Sequence, residues 1–221
     1  FGTTADTSRG RSGELWGDCP WEDLLNDPRQ GYALFEDFLA PLNPETGDGY
    51  TVTQVTSGTF AQTDGGGGLA LLDSAGHNAA NDGAQVQLGE AWAAGTVDTL
   101  WFEARVKATD IDTTPDQFFV GLAKTDTTLI ASGALDVANN SHIAFYTHAA
   151  TVAGRIGFSV ANAGVESADA DLTGAAAVAD GTYVKLGFKV ATVGGVRTCT
   201  PYINGVAYTA VTTTTYIPST D

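Results

Sequence analysis

The sequence has no methionine, two cysteines, three histidines, and only ten lysines and arginines against twenty-six aspartates and glutamates. Each shortage excludes something. Without methionine, Phe1 is expected to lie downstream of the translational start. Cys19 and Cys199 form no CxxC pair or Cys/His cluster, so zinc is not expected and a framework of many disulfides is ruled out. One bridge between them and two free thiols remain as alternatives. His77, His142 and His148 lack the His-x-x-x-His rhythm of a metal site and read as satisfied strand or surface histidines. A formal charge of -16 repels phosphate, which argues against contact with nucleic acid or an anionic membrane and favours solubility or a basic protein partner. No apolar run approaches the ~20 residues that cross a bilayer. Phe1-Gly2-Thr3-Thr4 lacks the basic and apolar parts of a signal peptide, so a soluble protein is expected.

What is present points to strands. Hydrophobic residues make up 43% of the chain, enough for a core, and Ala, Gly, Val and Thr outnumber the strong helix formers. A length of 221 residues suits one large β domain with an appendage. Residues 1–31 differ from the rest: polar and Gly-rich, they carry Trp16, Cys19-Pro20-Trp21 and a short helix expected over Trp21–Leu25, stopped before Pro28. This reads as an N-terminal arm with Trp16, Trp21, Leu24 and Leu25 as partner-binding anchors. A segment too polar to build its own core must pack these side chains on this domain or on a neighbouring subunit.

From Tyr32 onward, over 32–221, about ten strands are expected. Phe35–Leu39 opens the domain. Thr51–Val55 and Ala84–Leu88 alternate with period two, and Leu69–Leu72 follows the turn run Asp64–Gly68. In Leu100–Lys107, Phe102, Ala104 and Val106 share one face while Glu103, Arg105 and Lys107 share a wet one. Gln117–Ala123, His142–Tyr146, Arg155–Val160 and Tyr183–Val190 follow, the last with Val184, Leu186, Phe188 and Val190 inward and Lys185 and Lys189 outward. Asn204-Gly205 supplies the positive φ angles of a type I′ hairpin turn. Two packed antiparallel sheets are implied, and crossover helices for a parallel fold are missing.

Chemistry finds little support. No Glu-x-Asp-x-Glu pairing of strand carboxylates occurs. Glu103 reads as half of a surface pair with Arg105 or a cross-strand lysine, and Glu36-Asp37 would point to opposite sides of a strand. Gly-x-Ser-x-Gly is absent, and the run Gly65–Gly68 is not followed by Gly-Lys-Ser/Thr. Asp110-Ile111-Asp112 with Asp116, and Asp169-Ala170-Asp171, match no established calcium loop. Asn139-Asn140-Ser141 fits the glycosylation tripeptide without a secretory context. No catalytic residue, metal or cofactor is expected.

The order Phe35–Leu39, Ser57-Gly58-Thr59-Phe60, Leu69–Asp73, Trp101–Val106, Phe118–Leu122, Ile143-Ala144-Phe145 and Tyr183–Phe188 resembles concanavalin-like (laminin-G-like) jelly-roll proteins encoded among the head genes of tailed bacteriophages. The likeness covers roughly residues 32–217 and is one of order and texture. It implies an antiparallel jelly-roll β-sandwich and a capsid decoration (cement) protein on the outer surface of the virion. Such a protein would be a homo-oligomer, often a trimer, that braces the major capsid protein. It also implies a closing strand after Ile217-Pro218, which would come from outside these residues or from a neighbour. A carbohydrate-binding module or lectin-like adhesin of the same fold is the alternative, with Trp92, Tyr146 or Tyr202 as exposed sugar platforms.

Overall fold

In the computed structural model the described residues are 10–27, 29, 31–38, 49–63, 69–73, 83–89, 92, 94–95, 98–109, 118–126, 140–147, 156–167, 170–172, 179, 181–212 and 214–218. Among them are two short helices, α1 (Gly13–Trp16) and α2 (Trp21–Asn26), and thirteen strands. In chain order the strands are β1 (Tyr50–Val55), β2 (Thr59–Thr63), β3 (Leu69–Asp73), β4 (Gly83–Leu88), β5 (Leu100–Lys107), β6 (Phe119–Ala123) and β7 (His142–Thr147). They continue with β8 (Ile156–Asn162), β9 (Val165–Glu166), β10 (Ala170–Asp171), β11 (Tyr183–Val193), β12 (Val196–Ile203) and β13 (Val206–Ala207). All strand pairings among the described residues are antiparallel. The chain is therefore mostly β, as its composition requires. No described helix is long and apolar enough to cross a membrane.

The chain divides into two compact units. Unit 1 draws on Phe1–Cys19, Trp92–Lys124 and Ala138–Asp221, and unit 2 on Pro20–Ala91 and Thr125–Val137. The expected arm, 1–31, thus contributes to both, passing from one to the other between Cys19 and Pro20.

Unit 1 holds two sheets, ordered β10-β8-β7-β6, with β9 added on β8, and β13-β12-β11-β5. Their facing side chains make one core. Ile143 and Phe145 of β7 and Ile156, Phe158 and Val160 of β8 pack with Val184, Leu186, Phe188 and Val190 of β11. The alternation in Tyr183–Val190 dictates this, because a period of two sends every second residue to the same side. The Phe158 and Phe188 rings meet across the sheets with centroids 6.1 Å apart, and Phe102 stacks on Phe188 at 4.9 Å. Phe145, Phe158 and Phe188 are completely buried. Burying such a side chain contributes about 1.5–3 kcal/mol relative to leaving it in water.

Among the described residues of this unit, three two-residue turns join strands. Asn204 and Gly205, at φ 52° and 81°, connect β12 to β13 as the sequence predicts. Ala163-Gly164 (49°, 79°) and Gly194-Gly195 (59°, 83°) make the same turn after β8 and β11.

Unit 2 contains α2 and two strand pairs, β1 with β4 and β2 with β3. Gly58 follows β1 and passes against Gly83, where a Cβ would stand 1.8 Å from the Gly83 carbonyl oxygen. The strand expected at Phe35–Leu39 is not formed by residues 35–38, and Leu39 lies outside the described residues. Glu36 prevents it. One carboxylate oxygen accepts from the Phe38 N–H at 2.6 Å, the other accepts from the Tyr50 hydroxyl at 3.0 Å, and Phe38 turns to φ 55°. An extended ladder cannot accommodate that local bond.

Candidate protein-binding site

In unit 2 the helix α2 follows the N-cap residue Pro20, whose carbonyl accepts from the Leu24 N–H at 2.9 Å. Glu22 and Asp23 in its first turn face the positive end of the backbone dipoles. The Asp27 N–H closes the other end on the Asp23 carbonyl at 2.8 Å. Trp21 and Leu24 are half-buried, whereas Leu25 is 61% exposed. Gly31 then lets the chain cross Leu24, since a Cβ there would lie 2.7 Å from Leu24 Cδ2. Beyond it come Tyr32, Leu34 and Phe35, exposed by 79%, 51% and 77%. Three large apolar side chains within four residues, left in water after a helix that offers a fourth, form an unusual surface. The segment Leu25–Phe35 is therefore the candidate binding element of unit 2. Among the anchors expected from the sequence, Leu25 falls in this segment, whereas Trp21 and Leu24 precede it and are half-buried; Tyr32, Leu34 and Phe35 are not among those anchors, because the sequence at Phe35 reads as the start of a strand.

Trp16 stands in unit 1, half-buried at the end of α1. There the outer face of β5 and β11 is not wet as expected, because residues 10–18 lie on it. Lys185 Nζ donates to the Gly10 carbonyl at 3.0 Å, and the Ser12 N–H donates to Glu103 Oε2 at 3.2 Å. Glu103 thus binds arm backbone; its register partner across the sheet is Gly187, not a lysine. Leu15 is completely buried over Gly187, while Asp18 accepts from Trp101 Nε1 at 3.3 Å and pairs with Lys189. The Lys189 ammonium, helped by the Trp101 N–H and opposed by desolvation, holds the Asp18 carboxyl below its ordinary value. Burial first, then Glu14 and Asp18, raises Tyr202.

The aromatic residues considered as sugar platforms are not exposed. Tyr146 and Tyr202 are only 8% and 9% exposed, and Trp92 packs against the core of unit 1. Tyr146 lies on Gly157, its cross-strand partner, where a Cβ would meet the ring at 2.6 Å.

Titratable groups elsewhere are engaged structurally. His142 is 1% exposed, with Nδ1 at 2.9 Å from the Asn140 carbonyl and Nε2 at 2.8 Å from Ser159 Oγ. A carbonyl only accepts, so Nδ1 carries a proton, and in the neutral ring Nε2 accepts from the Ser159 hydroxyl. His77, His148, Asp110–Asp116, Asp169, Asn139 and the turn 64–68 lie outside the described residues. Among the described residues no three His, Cys, Asp or Glu groups stand together to hold a metal ion. Both cysteines are free thiols, Cys19 half-buried and Cys199 buried. Compared with protein-family models, curated proteins and solved structures, the chain matches none.

Proposed function

We propose that the chain is a structural virion protein, a capsid decoration (cement) protein of jelly-roll type. In this reading it sits on the outer surface of a tailed-phage capsid as a homo-oligomer, a trimer by preference, and braces the major capsid protein. It acts by binding rather than by catalysis, and requires no cofactor, nucleic acid or membrane. The observation that carries this reading is the exposed apolar segment Leu25, Tyr32, Leu34 and Phe35. Such a patch gains free energy only when a partner covers it, at about 25 cal/mol per Å² of apolar area removed from water. Aromatic side chains make effective anchors because they bury much area for few rotatable bonds. Symmetry would multiply a modest contact into stable occupancy of a shell. The charge of -16 suits a basic-rimmed partner surface and colloidal repulsion between particles. The resemblance of strand order to phage head proteins supplies the identity of the shell.

Binding to undecorated capsids tests it. Leu25→Asp combined with Phe35→Asp should leave the β circular dichroism spectrum intact and abolish decoration. Unchanged occupancy by that variant would overturn the reading. A glycan array distinguishes the lectin-like alternative, which requires saturable sugar binding.

A further inference from the structure

Arg197 stands in unit 1 where the alternation of β12 calls for an apolar side chain. A period of two puts it on the same side as Cys199, Pro201 and Ile203, which lie cross-strand from Val190, Phe188 and Leu186 of β11, and that side is the core. The buried row therefore ends in a guanidinium that is only 7% exposed. An arginine stays charged at any ordinary pH, so it cannot relieve its burial by losing a proton. It must be paired instead.

The surrounding chain completes the pairing only in part. Nη2 donates to the Ala94 carbonyl, whereas Nε and Nη1 are enclosed and have no hydrogen-bond partner among the described residues. Asp98 attracts the guanidinium electrostatically, but it is exposed and is not among the bonded partners. Cys199 supplies no negative charge, because complete burial pushes its thiol up. The missing acceptor has to come from solution, and its charge follows from the site. One positive charge is balanced by a monoanion, whereas a dianion such as sulfate would leave a net negative charge among apolar side chains. Bonds from a guanidinium to an anion are also stronger than bonds to a neutral acceptor such as water. We propose that Arg197, at the core side of β12, binds a small monovalent anion of carboxylate or halide type through Nε and Nη1. The site needs no capsid partner and is separate from the exposed segment of unit 2.

Urea unfolding in a zwitterionic buffer, with sodium formate or sodium chloride added, tests it. Added anion should raise the wild-type midpoint with the logarithm of its concentration, since a ligand held only by the native state stabilises that state. Salt also screens the chain's charge of -16, but it does so equally in a variant, so the difference between the two proteins reads the site. Arg197→Met should lose the extra rise completely. Arg197→Lys keeps the charge without the fork of donors and should lose most of it. A response to formate alone assigns the site to carboxylates, one to chloride alone assigns it to halides, and either supports the inference. Calorimetric titration of formate and of chloride into native wild type gives a second measurement that needs no variant to fold, and saturable heat is expected from at least one of them. Equal rises in wild type and in the folded variants, or no saturable heat from either anion, would overturn it.

Discussion

Leu15 is buried only because Gly187 has no side chain: a Cβ at Gly187 would stand 2.5 Å from Leu15 Cδ2. Truncating the leucine leaves a hole in this seat, and Leu15→Ala should cost about 2–4 kcal/mol in urea unfolding. Gly187→Ala should cost at least as much, because its Cβ would also come within 2.7 Å of the Phe102 carbonyl oxygen, which belongs to the sheet and cannot yield. A double-mutant cycle should recover only part of the loss. Full additivity would mean that the two residues do not share a contact.

Acid should loosen the arm through Asp18. Its folded carboxyl lies below the ordinary value of 3.8, mainly through Lys189. Its contribution is thus complete above that value and is lost as pH falls through the lower folded value. Urea midpoints measured from pH 6 down to pH 3 should fall less steeply for Asp18→Asn than for wild type. Parallel curves would remove Asp18 from the account.

The two thiols should differ in reach. Burial raises both Cys19 and Cys199, and Cys199 is enclosed completely. A thiol reagent at alkaline pH should label one group per native chain and two in denaturant, and Cys19→Ser should remove the native one. A chain with no titratable thiol in denaturant would carry a Cys19–Cys199 bridge instead.

Two glycines at equivalent turn positions separate backbone cost from contact cost. Gly195 at φ 83° has nothing within 4 Å of where a methyl group would stand, whereas at Gly205, φ 81°, a Cβ would meet Ser12 Cβ at 3.1 Å. Gly195→Ala should cost about 1–2 kcal/mol from the left-handed conformation alone. Gly205→Ala should cost more, and the excess should vanish once residues 1–19 are deleted.

Arg197 is a buried charge, 7% exposed, whose Nη2 donates to the Ala94 carbonyl while Nε and Nη1 have no partner among the described residues. Desolvation lowers its pKa, against the pull of Asp98. Replacing such a group by an apolar side chain of similar length is often neutral or favourable. Arg197→Met should leave the urea midpoint unchanged or raise it. A loss above about 2 kcal/mol would show that the guanidinium stabilises the fold.

The strands were legible where alternation was unbroken, as in β5 and β11, because a period of two encodes the buried face directly. The Asn204-Gly205 turn was legible for the same local reason, and Gly194-Gly195 carries an equal local signal. Phe35–Phe38 misled because its conformation is set by Glu36 bonding to Phe38 and to distant Tyr50. Trp92, Tyr146 and Tyr202 were not legible as covered side chains, because Trp92 packs against the core from outside any strand and the two tyrosines are shielded within their sheets by distant parts of the chain. In the arm, the sequence marks the large Trp16, whereas the completely buried side chain is Leu15, whose seat depends on a glycine far along the chain.

The order of the chain has a consequence for biogenesis. Leu15 is translated long before Gly187, the residue of β11 that seats it. The earlier segment must wait, unsatisfied, for the later one. Long sequence separations of this kind slow folding, so the contact of Leu15 with its seat should be among the last to settle.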